Sequence, residues 1–424
     1  MTLNGNWLIV LLVVLVLAAF TGVVLLWRKL SGKTWRHVLG RIGVLGGAQV
    51  ALVLLLAAVC NNYFGFYSSW HDLLGFASQT FNQNQNHPLG PAPGADAPDP
   101  GGVAGNGSPG GGLGGGVSGG LGGGLGPGGT QPHHALVTVQ SVGGLSLPGG
   151  TLESATGQVQ DVTIYGATTG LSTQAIVYLP PQYFQTAYRD YDFPVAIVST
   201  GYPGDVGALQ NKLKYPYRLL TGINNHQDKP IVLVMTQPSP TSVDGVDTEC
   251  TNVPGGPQVN TFWAEDIPRA IEDQYRVTTA ATGWGIIGDS TGGDCALKVT
   301  MMNSDKFAVA VSLSGDYDAP QDITTGDLYG TPQYRDLNNV MWRVQHLPKP
   351  PISLLLASSR SGESDYGAVL KFQQLTAGTP THTSTLIRNE GGHNFTTWNA
   401  EIPPAMRWLS NTLKSNTPLP QPPR

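Results

Sequence analysis

Hydrophobic positions along this chain fall into three regimes. Apolar residues run over 7–27 without a charge, long enough to cross a bilayer as a helix, and a second such run covers 42–60. From about residue 82 to 132 apolar side chains almost vanish. From about 135 to 413 they return as short runs separated by stretches of helical spacing. Strands are predicted at 135–140, 158–164 and 171–179, the last closed by Pro180 and Pro181. Uninterrupted apolar runs at 195–198, 231–235, 284–287, 308–313 and 352–357 then read as strands buried on both faces, and a further strand is expected at 384–388. Helices are predicted over 261–275, 293–303, 367–375 and 400–413. In the first of these Trp263, Ile267 and Ile271 recur at helical spacing, and Pro268 is tolerable only near a first turn.

Such alternation argues for an α/β domain, a mostly parallel sheet flanked by helices, with ligands bound outside the carboxyl ends of the strands. The chain then divides into a membrane anchor of two transmembrane helices (1–81), a Gly/Pro-rich linker (82–132), the α/β domain (133–415) and a flexible tail (416–424).

Charge gives the anchor a direction. Arg28, Lys29, Lys33, Arg36 and Arg41 lie between the apolar runs with no acidic residue among them, so this is expected to be the cytoplasmic loop, with the α/β domain outside. A cleaved signal peptide is the competing reading of the first run, but there the positive charges would come before the apolar stretch. Tyr63, Phe64, Phe66, Tyr67 and Trp70 read as an aromatic belt at the outer interface. The linker holds long glycine runs and cannot form a core; as a coil of roughly 50 residues it would span on the order of 40 Å. A net charge of −5 with no basic stripe makes nucleic acid an unexpected partner.

The chemistry centres on Gly288-Asp289-Ser290-Thr291-Gly292, a Gly-x-Ser-x-Gly pattern between a predicted strand and a predicted helix. That setting presents a serine on a strained elbow, and makes Ser290 the candidate nucleophile. A serine hydroxyl needs a base, and the base needs a carboxylate, in the chain order Ser, acid, His. Of the late histidines, His382 opens a predicted strand, whereas His393 follows Gly391 and Gly392 in the loop before the last helix; His393 is the better base. The loop after 352–357 offers Glu363 and Asp365; Glu363, the earlier, is preferred, with Asp365 the alternative acid or a helix cap. Oxyanion donors are expected from the backbone N–H of Thr291 and of Tyr202, since Pro203 has none to give. Asp289 and Asp294 are explained by the dipole of the following helix and are assigned no chemistry.

With Gly-Tyr-Pro-Gly at 201–204, Gly-Asp-Ser-Thr-Gly-Gly at 288–293 and Gly-Gly-His-Asn-Phe at 391–395, the chain resembles the putative esterase family of the α/β-hydrolase fold. That family includes S-formylglutathione hydrolases, feruloyl esterases and the mycolyltransferases of actinobacterial cell envelopes. The resemblance covers roughly 135–413 and implies a triad of Ser290, His393 and Glu363 or Asp365. The expected activity is hydrolysis of a small-molecule or lipid carboxylic ester through an acyl-enzyme. Acyl transfer of the mycolyltransferase kind is one alternative, and an inactive surface binding module another.

Cys60 ends the second apolar run, leaving Cys250 and Cys295 as the only pair in the α/β region; in an oxidising compartment they are expected to form a disulfide. No Cys and His grouping has metal-ligand spacing, and no cofactor is implied.

Overall fold

The computed structural model describes residues 6–64, 136–145, 152–243 and 245–420. The glycine-rich linker, the belt residues beyond Phe64 and the end of the tail lie outside them.

At the N-terminus, α1 (Asn6–Trp27) and α2 (Trp35–Phe64) are each long and apolar enough to cross a membrane. The second helix starts earlier than the apolar run suggested. Arg36 and Arg41, expected in the connecting loop, therefore sit at its beginning. The Arg41 guanidinium lies 6.0 Å from the ring centre of Trp27, across the turn.

Every strand predicted in the α/β region forms. They are β1 (Val137–Gly143), β2 (Gln158–Tyr165), β3 (Ser172–Leu179), β4 (Val195–Ser199), β5 (Val232–Thr236), β6 (Trp284–Asp289), β7 (Val309–Leu313), β8 (Ser353–Ser361) and β9 (His382–Glu390). They make one sheet in the order β1-β2-β3-β5-β4-β6-β7-β8-β9, antiparallel from β1 through the β3/β5 pair and parallel from there to β9. The central strands are apolar on both faces, and alternate residues feed two cores. Val195 and Ile197 of β4 point into one, Ala196 and Val198 into the other.

The longer intervening helices within the α/β region are α3 (Val206–Asn211), α4 (Tyr215–Asn224), α5 (Ile267–Gln274), α6 (Thr291–Met302), α7 (Pro332–Asn338), α8 (Val340–His346), α9 (Tyr366–Thr376) and α10 (Phe395–Thr412). Helices α5, α6, α8 and α9 cover the first core, and α3, α4 and α10 the second. The single helix expected over 261–275 is divided. A wider turn at Phe262–Asp266 precedes α5, so Pro268 falls in the first turn of α5, where a missing N–H costs nothing. This mostly parallel sheet with helices on both faces is the α/β-hydrolase architecture. Its register brings Ser199 beside Gly288 and Leu313 beside both Asp289 and Ala357, so the carboxyl ends of β4, β6, β7 and β8 open on one edge.

Candidate active site

Ser290 is the sole residue between β6 and α6, with φ 55° and ψ −127°. A side-chain-bearing residue held there stores strain of about 1–3 kcal/mol, which the surroundings must over-determine. They do so through the backbone. The Ser290 N–H donates to the Leu313 carbonyl (3.1 Å), and its own carbonyl accepts from the N–H groups of Gly293 (2.8 Å) and Asp294 (3.1 Å). A Cβ at Gly288 would lie 2.3 Å from the Gly292 carbonyl oxygen, and one at Gly292 2.7 Å from that of Ser199. The motif glycines are thus demanded by close backbone approach. The helix begins at Thr291, two residues before the predicted start, because the elbow itself supplies the turn.

His393 follows β9 and precedes Asn394, whose side chain caps α10 by accepting the Thr397 N–H (3.1 Å). This cap fixes the start of α10 just after the imidazole. Nε2 of His393 stands 2.8 Å from Ser290 Oγ, and Nδ1 stands 3.6 Å from Glu363 Oε2. The second distance is that of an ion pair rather than a hydrogen bond. His382 lies exposed at the start of β9, away from this group.

The choice between the two acids follows from where β8 ends. The strand runs on to Ser361, so Ser359, Arg360 and Ser361, expected in the loop, belong to it. Gly362 then turns at φ 91° and carries Glu363 to the imidazole. The Glu363 side chain is 2% exposed, and its Oε1 accepts the Ser314 hydroxyl at 2.9 Å. Asp365 goes elsewhere. It stands at the N-cap of α9 without capping it, and its Oδ1 accepts from Ser358 Oγ at 2.6 Å. Burial and the neighbouring Glu363 push Asp365 up to about 6.

Burial pulls the His393 pKa down, but Glu363, Asp316 and Asp289 more than offset this, and the net shift is upward from 6.5. Glu401 of α10 is buried with neither carboxylate oxygen bonded; burial first, then the field of Glu363, push it up to about 8.

The loop after β4 lies against the elbow, since a Cβ on Gly201 would come within 2.6 Å of Ser290 Cβ. Tyr202 follows in this loop, joined to Pro203 by a cis peptide, and Thr291 contributes the first N–H of α6, which has no partner within the helix. The sequence assigns Asp289 no chemistry; the structure gives its side chain a tying role. Its carboxylate is fully buried, and Oδ2 accepts from Thr200 Oγ1 (3.1 Å) and the Gly201 N–H (3.2 Å). It ties the loop after β4 to the elbow. Burial raises its pKa to about 7 against these hydrogen bonds. Asp294 stands in the first turn of α6, as the dipole account expects, and is also fully buried and paired with Lys298 at 2.6 Å. Lys298 in turn donates to the Glu249 carbonyl (2.7 Å).

Cys250 and Cys295 form a disulfide, Cα–Cα 5.6 Å, joining the loop before α5 to α6. The same loop carries Asp247, which accepts the Thr291 hydroxyl at 3.3 Å.

A family profile described as Putative esterase matches residues 166–409. Among solved structures, a ferulic acid esterase superposes with a TM-score of 0.52 at 16% identity, covering 61% of this chain and 98% of its own. An S-formylglutathione hydrolase from Agrobacterium tumefaciens gives 0.52 at 14% identity, covering 61% of this chain and 97% of its own. At such identities the likeness speaks for the fold. No curated protein matches the sequence.

Proposed function

The chain belongs to the putative esterase family and is a serine hydrolase acting on carboxylic esters; we propose that it is a membrane-anchored, extracytoplasmic esterase with Ser290 as nucleophile, His393 as base and Glu363 as the acid. The observation that carries this reading is the alignment of Ser290 Oγ, 2.8 Å from His393 Nε2, with Glu363 on the far side of the ring. As Oγ attacks the ester carbonyl, its proton passes to Nε2, and the imidazolium formed is stabilised by Glu363. The N–H groups of Thr291 and Tyr202 receive the developing oxyanion. Collapse expels the alcohol, protonated by His393, and leaves an acyl group on Ser290. Water, deprotonated by the same imidazole, then releases the acid.

Anchoring rests on α1 and α2. Trp27 and Trp35 flank a turn rich in Lys and Arg, the composition expected of a cytoplasmic membrane interface. The odd-numbered passage would leave the chain inside, but two passes return it outward. The disulfide between Cys250 and Cys295 agrees with an oxidising compartment. The linker at 82–132 then serves as a tether and 133–415 as the catalytic domain.

The full-length protein in detergent should hydrolyse a chromogenic short-chain ester, and Ser290→Ala should reduce kcat at least about a thousandfold. Undiminished turnover by Ser290→Ala would refute the assignment. Orientation is tested separately, by protease accessibility of the α/β domain in sealed vesicles or intact cells.

A further inference from the structure

We propose that Ser314 and Trp398 are a positioning pair that holds Glu363 in register with His393, an inference that rests on the roles just assigned to these two residues. Glu363 has two oxygens and two tasks. Oε2 faces the imidazole at 3.6 Å, while Oε1 is occupied by the Ser314 hydroxyl at 2.9 Å. Ser314 is in turn 3.2 Å from the indole Nε1 of Trp398. An indole N–H can only donate and an ionised carboxylate can only accept. The hydroxyl between them must therefore accept from Trp398 and point its proton at Glu363. The relay has one direction, and it pins one carboxylate oxygen so that the other is aimed.

Two further observations bear on this. Ser314 sits just past the end of β7 with φ 50°, a conformation that side-chain-bearing residues seldom adopt, and its N–H still donates to the Ala357 carbonyl of β8 (3.1 Å). The strained backbone carries the hydroxyl across to the loop after β8. Trp398 lies one turn into α10, 6% exposed, and its ring meets that of His393 edge to face, centroids 5.1 Å apart at 84°. One side chain thus touches the base directly and reaches the acid through Ser314.

Among the charged groups near this unit, Arg388 of β9 acts on Glu401. Asp316 and Asp289 act on His393 from the loop after β7 and from β6, while Glu401 of α10 and Asp365 lie in the field of Glu363. None replaces the Ser314 hydroxyl. Without it the carboxylate is free to turn, the imidazolium loses its partner, and the base becomes easier to deprotonate.

Steady-state kinetics of the full-length protein on a chromogenic ester, as a function of pH, test the pair. Ser314→Ala is expected to lower kcat roughly ten- to a hundredfold, the size of one hydrogen bond to a charged group, with KM little changed. The acid limb of kcat/KM should move to lower pH. Trp398→Phe, which keeps a ring against His393 but loses the donor, should move the limb the same way, and the double variant should be no worse than Ser314→Ala alone. An unshifted limb in Trp398→Phe, or losses that add fully in the double variant, would overturn the proposal, and Trp398→Phe carries the test alone if Ser314→Ala does not fold. Stoichiometric labelling of the wild type by a fluorophosphonate separates the two levels. A labelled wild type with unshifted variants sinks only the positioning pair; an unlabelled wild type sinks the assigned roles and the pair together.

Discussion

Ser290 is strained, hydrogen-bonded through its backbone on both sides and paired with an imidazole. Its motif was legible in the sequence because the elbow needs glycines at fixed offsets, and so was His393, which stands in a glycine-flanked loop. Glu363 and Asp365 could not be separated so cleanly. They lie two residues apart, and which one meets the imidazole depends on how far β8 runs and on the φ of 91° at Gly362, neither of which leaves a compositional trace. The sequence does not point to Ser314 and Trp398, nor to the tie made by Asp289, for a related reason: each acts across strands, on a partner distant in sequence. A signal for Trp398 was present, a large aromatic one turn beyond the histidine at the start of a helix. Because carboxylates raise the His393 pKa and only the neutral ring accepts the serine proton, the acid limb of kcat/KM should lie above pH 6.5. Asp289→Asn, which keeps an acceptor for Thr200 and Gly201 but removes one of those charges, should move this limb down; Asp289→Ala should also lower kcat about tenfold by freeing the loop after β4. A pH profile in which Asp289→Asn matches the wild type would contradict the electrostatic part.

At the level of elements, the strands were readable because buried parallel strands are short, uninterrupted apolar runs. Helices α3, α4, α7 and α8 were not foreseen. Three of them have six or seven residues, and α4 has only ten, with a proline and a glycine among them. The start of α10 was placed five residues late, since its first turn, Phe395-Thr396-Thr397, carries threonines of weak helix preference and is held instead by the Asn394 cap. The disulfide closes a separation of 45 residues between the loop before α5 and α6. Loop-closure entropy for a ring of that size corresponds to about 4 kcal/mol, with measured effects commonly about 2–4 kcal/mol. Denaturant titration with and without reductant should show a loss in that range. Since the same loop holds Asp247 against Thr291, activity should fall under reductant before global unfolding. An unchanged midpoint would mean that the bond closes a loop already fixed by packing.

For the whole molecule, the carboxyl edge of the sheet gathers more acid than it neutralises. Asp289 is pushed up to about 7 by burial, Glu401 to about 8 and Asp365 to about 6 there, while Asp228, just before β5 at the opposite edge, is pushed up to about 6. Each of these groups holds its proton more tightly folded than unfolded, as does His393. The stability they contribute is full below the ordinary carboxylate range, near 4, and is lost as pH rises through 6 to 8. Tm should therefore decline from about pH 5 to pH 8, while catalysis, which needs a neutral imidazole, improves over the upper part of that window. A Tm that rises across this interval would refute the buried-acid account. N-terminal to the domain, α1 and α2 were legible from length and lack of charge, although the entry of Arg36 and Arg41 into α2 was not. The central claim is that this assembly activates one serine. Treatment of the full-length protein with a fluorophosphonate, followed by peptide mass mapping, tests it most directly. A single adduct on Ser290, absent from Ser290→Ala and strongly slowed in His393→Ala, is the predicted result. No adduct, or one equally formed without His393, would contradict it.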